Sequence, residues 1–326
     1  RVIPADTSSD NPAQAASVTR RMISEDHVSV LVGAHTSTMT LSAQIEAERS
    51  RIPLLTTSYA DQIVERGLKY TFKIPPQASA ISAAGMDDIL ALYEELKATK
   101  IQRVAIFYGA DAASQAIGAA YIKDAKAKGL DIVAQGSFPG NLADPTPILG
   151  PVRAHKPQVL FMNAFVDDMI LVTRALRSLG IMIPVVGSGS GISVKSIGQS
   201  LGKDANNLMG TLVWNWDLPI PGVPQFRDAY KAAYPKQPFA PQEAGEGYAI
   251  GQIIAAALEA AKSRDPRTIR DALTHTNLQT ILPGGPVQFA ANGQNKNAVA
   301  ILVSWINGEL RTLWPKPYAA VTPVLP

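Results

Sequence analysis

The sequence predicts an α/β fold built on parallel strands, because short apolar runs recur along it, amphipathic helical stretches separate them, and Gly or Pro marks the junctions. The runs at 28–32, 104–108 and 159–163 are almost continuously apolar rather than alternating. That is the pattern of strands covered by helices on both faces. With 326 residues the chain is long enough for two hydrophobic cores.

The elements follow in order. Residues 1–5 read as a first strand, and a polar turn leads into a helix over 12–26, where Pro12 loses little because its missing amide would be unpaired at a helix start. The run 28–32 ends at Gly33, a helix is expected over 40–50, and 53–56 reads as a short buried strand. After Pro75 and Pro76 the unit repeats: helix 78–97, strand 104–108, helix 112–128, strand 132–134, strand 159–163, helix 168–179 and strand 184–187. Breaks at 73–77 and 214–222 read as passages from one lobe to another. Helices at 242–261 and 267–276 follow, and the chain closes on strands 299–305 and 309–314, joined by the hairpin dipeptide Asn307-Gly308.

Composition excludes several classes. Hydrophobic residues make up 46% and charged residues 17%, which argues against general disorder, and no apolar stretch runs uninterrupted for the roughly 20 residues a membrane-spanning helix needs. Thirty basic side chains against 27 acidic give a net charge of +3 with no basic run, a poor basis for a nucleic-acid surface. No cysteine is present, so disulfides, thiol nucleophiles and cysteine metal sites are excluded.

Seven segments taken in order carry a family resemblance: VSVLVGAHTSTMT, IPLLTTS, YTFKIPPQAS, RVAIFYG, PQVLFMN, PVVGSGS and the closing QFAANGQNKNAVAILVSWINGELRTLW. Together they resemble the type I periplasmic-binding fold, in its leucine/isoleucine/valine-binding group, over essentially the whole chain. The resemblance implies two Rossmann-like lobes joined by three hinge crossovers, one lobe combining 1–74 with 218–292 and the other 75–217 with 293–326. It implies the substrate-binding component of an ABC uptake system: a non-enzymatic, periplasmic or extracytoplasmic monomer without cofactor or metal, closing on a small solute and presenting the closed form to a membrane permease. The family also has a strand and helix before the segment matching Val2 to Asp6, so either a longer physiological chain or an altered first lobe is expected, which intact mass and N-terminal sequencing distinguish.

Candidate ligand contacts lie where strands end. His35, Thr36, Ser37 and Thr38 stand before a helix, where hydroxyls and free amides either cap the helix or receive a carboxylate with help from its dipole. Thr56, Thr57, Ser58 and Tyr59 repeat the arrangement. The resemblance favours Ser37, Thr38, Thr57 and Ser58 as carboxylate contacts, with Tyr59 as an aromatic wall. In the other lobe it points to the loops holding Tyr108 with Asp111 and Phe165 with Asp167; related amino-acid receptors often carry tyrosine where this chain has Ala113, and an aromatic where it has Phe165. The loop with Gly189 and Ser190 matches one that holds an acidic ammonium contact in several amino-acid binders, and here the acid is missing. Asp217 and Glu243 are the replacements on offer, or else solvated charges; Trp214 and Trp216 either floor the cleft or pack the hinge. The missing acid tilts the reading slightly toward aromatic carboxylates over branched-chain amino acids.

Two other readings stand beside this one. An α/β enzyme would place its chemistry at the same strand ends, yet His27, His35, His155 and His275 supply no zinc spacing, and Ser58, Ser188 and Ser190 lie outside any nucleophile elbow. The glycines at 187–191 lack the lysine of a P-loop and the full dinucleotide fingerprint. A ligand-regulated sensor would share the two-lobed architecture, and neighbouring permease and ATPase genes distinguish uptake from sensing.

Overall fold

The computed structural model describes residues 1–7, 11–97, 99–237 and 239–322, with the side chains of Lys97 and Ser190 left out. The chain forms two compact units, residues 1–77 with 246–299 and residues 78–245 with 300–326, and passes between them three times. The boundaries lie at 77/78, 245/246 and 299/300, against 74/75, 217/218 and 292/293 expected from the sequence.

In the first unit, α1 (Pro12–Ser24) opens with Pro12 at its first position and the Asn11 side chain accepting from the Gln14 amide at 3.1 Å. There follow β1 (Leu31–Val32), α2 (Ser37–Ser50), β2 (Leu54–Thr56), α3 (Gln62–Glu65) and β3 (Thr71–Lys73). The strands make a parallel sheet in the order β1-β2-β3, with Leu31 opposite Leu54 and Leu54 opposite Thr71. Leu31, Ala43, Ala47, Ile52 and Leu54 form one core cluster under Met22, Ile23 and Val28 of the α1 side. Each large aliphatic side chain so buried contributes about 1.5–3 kcal/mol. Residues 1–5 differ from expectation. They lie outside any strand, and Val2 is 90% exposed. A strand needs a neighbour to take up its backbone hydrogen bonds, and among the described residues β1 pairs with β2 alone.

In the second unit the order is α4 (Ala78–Lys97), β4 (Arg103–Gly109), α5 (Ala112–Ala127), β5 (Asp131–Phe138), α6 (Thr146–His155), β6 (Val159–Asn163), α7 (Val166–Ser178), β7 (Val185–Ser188), α8 (Ser190–Ser193), α9 (Lys195–Leu201), β8 (Leu208–Leu212) and α10 (Val223–Ala233). Helix α11 (Gln242–Ala261) holds the second boundary, α12 (Pro266–Thr274) belongs to the first unit, and β9 (Ile301–Ile306) and β10 (Glu309–Trp314) return to the second. Its seven strands run in the order β10-β9-β8-β7-β6-β4-β5, parallel except for β9 against β8 and β10. Asn307 (φ 50°) and Gly308 (φ 84°) make the left-handed turn of that closing hairpin.

The strand order positions the site. From β4 the chain goes to β5 on one side, then returns across to β6 on the other, so the topological switch point lies between β4 and β6. In open α/β sheets the crevice at the carboxyl ends of such a pair is where ligands bind. The loops that leave it carry Tyr108 to Asp111 and Asn163 to Phe165.

Candidate functional site

In the first unit the strand ends of β1 and β2 are joined by hydroxyls. Thr36 is extended (φ −89°, ψ 149°), so α2 begins at Ser37, three residues earlier than the sequence suggests, and its first full turn carries Thr38. Ser37 Oγ accepts from the amides of Tyr59 and Ala60 at 3.2 and 3.1 Å. Ser58 Oγ lies 2.7 Å from Thr40 Oγ1 and 3.0 and 3.1 Å from the carbonyls of Ala34 and His35. Ser37 and Ser58 are therefore buried cross-links that set one loop against the other.

Their neighbours face outward. Thr38, Thr57 and Tyr59 are half-buried, His35 is exposed, and neither Thr38 nor Thr57 takes part in the cross-linking network. The Thr36 side chain makes no cap bond, and its Oγ1 is buried with no partner among the described residues. The first α2 amides have no intrahelical carbonyl to bind, since the ladder starts with Thr40 N to Thr36 O at 3.0 Å. This edge of the unit thus gathers unspent N–H and O–H donors at a helix start, where the dipole favours a negative charge.

At the end of β3, Lys73 is wholly buried, and its Nζ donates to the carbonyls of Pro75, at 3.1 Å, and Pro76. Asn295 Nδ2 holds the Ile74 carbonyl at 3.2 Å, and Gln294 Nε2 shares the Pro75 carbonyl at 2.8 Å. The carbonyls of the 74–76 turn are therefore all claimed within one unit. Burial pulls the Lys73 amine down to about 7 even though Asp61 and Glu246 pull it up.

In the second unit, Asn163 at the end of β6 donates to Ser114 Oγ at 2.9 Å and accepts from Ser188 Oγ, which ties the ends of β6 and β7 to the start of α5. Tyr108 is half-buried on Gly118, where a Cβ would come within 2.1 Å of the ring, so only glycine lets the phenol lie there. Phe165, the residue before α7, is 44% exposed. Asp111 caps α5: its Oδ1 accepts from the amides of Ala113 and Ser114, both at 3.0 Å. Gly189 takes a positive φ of 57° ahead of α8, and Ser190 opens that helix with its side chain outside the described residues.

Trp214 is fully buried against Phe226 and against Gly245, where a Cβ would meet the indole at 2.2 Å; it packs the unit's interior. Trp216 is half-buried beside Phe239, with Lys231 Nζ 5.2 Å above its ring. Asp217 accepts from Asn215 Nδ2, Arg311 Nε, Thr312 N and Thr312 Oγ1 at 2.8, 3.2, 3.0 and 2.5 Å, which leaves it no capacity for a ligand cation. Glu243 is half-buried in the first turn of α11, with both carboxylate oxygens 3.4 Å from Ser193 Oγ. Among the described residues no group of three or more acidic or histidine side chains is placed to hold a metal ion.

The family model described as "Periplasmic binding protein" matches residues 1–309. The chain belongs to that family. Leu/Ile/Val-binding protein homolog 8 of Brucella abortus is 26% identical over 314 residues, covering 93% of this chain and 77% of the relative. The branched-chain amino acid transporter substrate binding protein LivJ of Streptococcus pneumoniae, solved with isoleucine, superposes with a TM-score of 0.82 at 21% identity, over 97% of this chain and 87% of the other. A solute binding protein of an ABC transporter from R. palustris, solved with benzoate, gives 0.79 at 17% identity, over 97% and 84%. This periplasmic binding protein has the type I fold, is a non-catalytic binding protein, and acts outside the cytoplasm. No helix among its described residues is long and apolar enough to cross a membrane.

Sequence reasoning did not single out several residues that build this periplasmic binding protein's candidate site. Thr40 and Asn163 are the hubs of the two hydroxyl networks, and Lys73 secures the turn after β3. Asn163 and Lys73 carried a signal, a polar residue ending an apolar strand, whereas Thr40 sits inside a helix and carried none.

Proposed function

We propose that the chain delivers a branched-chain or other hydrophobic amino acid to an ABC permease. The observation that carries the reading is the donor edge of the first unit. Two loops are locked together by Ser37, Thr40 and Ser58, leaving Thr36, Thr38, Thr57 and the first α2 amides to receive a carboxylate. Tyr59, half-buried beside them, supplies apolar surface for the rest of the solute. Support for an amino acid comes from the relatives: one is named for leucine, isoleucine and valine, and another was solved with isoleucine. The slight preference of the sequence for an aromatic acid gives way to this.

Aromatic carboxylate binding is the second reading, favoured by the absence of any acid in residues 187–191 and by the benzoate carried by one structural neighbour. Family membership implies a membrane permease as partner; which solute that permease passes is part of the proposal. Calorimetry on ligand-stripped protein with L-leucine, L-isoleucine, 4-methylpentanoate and benzoate separates the readings. Saturable binding of leucine or isoleucine, with a fall in radius of gyration by solution scattering, is the expected result. Binding of benzoate with no binding of either amino acid would select the second reading.

A further inference from the structure

Asn-Gly occurs twice in the chain, at 292–293 and at 307–308, and the fold holds the two pairs differently. The dipeptide is reactive because glycine has no Cβ to keep its amide nitrogen away from the asparagine side chain. That nitrogen, after losing its proton to base, attacks Cγ of the asparagine; the Cγ–Nδ2 bond breaks, and ammonia leaves with a proton from water. Water then opens the cyclic imide at one of its two carbonyls. The product is aspartate or, where the original peptide bond is the one hydrolysed, isoaspartate, and nothing is oxidised or reduced.

Both asparagines are exposed, so exposure does not separate them. Their hydrogen bonds do. The Gly293 amide donates to the Ala290 carbonyl at 2.9 Å, the Gly293 carbonyl accepts from the Lys73 amide at 2.8 Å, and Asn292 Oδ1 accepts from the Gln294 amide at 3.2 Å. Gly293 is also buried, and a Cβ there would run into the Thr71 carbonyl, which leaves the backbone little room to turn. The attacking nitrogen and the side chain it must reach are therefore both held apart at 292–293.

Asn307 (φ 50°) and Gly308 (φ 84°) form the exposed tip of the β9–β10 hairpin. The Asn307 backbone amide is anchored to Asn206 Oδ1 at 2.9 Å, but among the described residues neither the Asn307 side chain nor the Gly308 amide has a hydrogen-bond partner. Nothing lies within 4 Å of where a Cβ on Gly308 would stand. The glycine amide can swing toward Cγ without breaking a bond or disturbing a packed neighbour.

We propose that Asn307 is a site of spontaneous deamidation in the folded protein, and that the fold protects Asn292. Each event replaces a neutral amide by a carboxylate and takes the net charge from +3 to +2. The isoaspartyl form also adds a methylene to the main chain of the two-residue turn that sets Ile306 opposite Glu309, at the edge strand of the seven-stranded sheet.

The test is incubation of the native protein in mildly alkaline buffer, followed by brief tryptic digestion and mass spectrometry. Cleavage after Arg270, Lys296 and Arg311 puts the two asparagines on separate peptides, 271–296 and 297–311. Asn307 is expected to convert at least about tenfold faster than Asn292, because Asn292 reacts only when its turn opens locally. In concentrated urea, where that protection is gone, the two sites should convert at like rates. An unchanged Asn307, or equal rates in the native protein, would overturn the inference; so would a difference that persists in urea, which would assign it to neighbouring residues in sequence and not to the fold. Asn307→Gln is expected to abolish the acidic form that ion-exchange chromatography resolves from aged wild type, with Asn307→Asp marking where that form elutes. An acidic form that accumulates undiminished in Asn307→Gln would likewise count against the proposal.

Discussion

Lys73→Met is expected to destabilise the protein by about 3–5 kcal/mol, the cost of breaking a buried polar cluster by removing one member. Methionine fills the space but leaves the Pro76 carbonyl without its donor, takes one of two from Pro75, and removes the cation that faces Asp61 and Glu246. The effect depends on pH, and its sign follows from linkage. The amine titrates near 10.5 when unfolded and near 7 when folded, so between those values the unfolded chain binds more protons and stability rises with pH. Below about pH 7 the amine is charged in both states, and the folded protein bears the full cost of burying that charge. The variant lacks the rise, so its deficit should widen from pH 6 to pH 9. Thermal melting at the two pH values measures this; a deficit that narrows on going to pH 9 would mean that the Lys73 amine is not held down by burial.

Asp217→Ala is expected to cost a similar 3–5 kcal/mol. The carboxylate is 11% exposed and gathers four donors from two segments, fastening the chain after β8 to β10. Truncation leaves the Thr312 amide and the Asn215 side chain without this acceptor in a buried setting, which is the expensive way to lose hydrogen bonds. Asp217→Asn keeps the shape but turns an NH2 group toward donors, and should recover less than half of the loss. Denaturant unfolding reads both variants. Since Asp217 is spent on the fold, folded Asp217→Asn should bind leucine within about threefold of wild type; a large loss of affinity at full stability would return Asp217 to the ligand.

Much of the fold was legible because buried parallel strands announce themselves. The runs at β4, β6 and β7 are apolar on both faces, and helices α4, α5 and α11 fill the spacings between such runs. The strand β5 was read too short because Gln135, Gly136 and Ser137 interrupt its apolar run at the edge of the sheet, where they are half-buried or exposed. Helix α10 was missed behind Gly222 and Pro224, which read as a crossover although proline at the second position of a helix costs little. The site was legible as a set of loops but not residue by residue. In a run such as Thr57-Ser58-Tyr59, alternate side chains point inward and outward, and a serine that binds a ligand carries the same letter as one that binds the neighbouring loop. Only the register between the β1 and β2 loops turns Ser58 in toward Ala34 and leaves Thr57 out. Asp217 and Glu243 were equivalent as letters for a like reason, and the packing of β10 separates them.

The central claim is that the start of α2 and the loop after β2 receive a carboxylate. The most direct measurement is calorimetric titration of L-leucine into ligand-stripped wild type and the Thr38→Val/Thr57→Val double variant, with melting temperatures recorded alongside. Neither hydroxyl belongs to the network that locks the loops, so the variant should melt within a few degrees of wild type. Two charge-assisted hydrogen bonds at about 1.5 kcal/mol or more each predict a loss of about 100-fold in affinity. Unchanged affinity for leucine in a fully folded double variant would contradict the account.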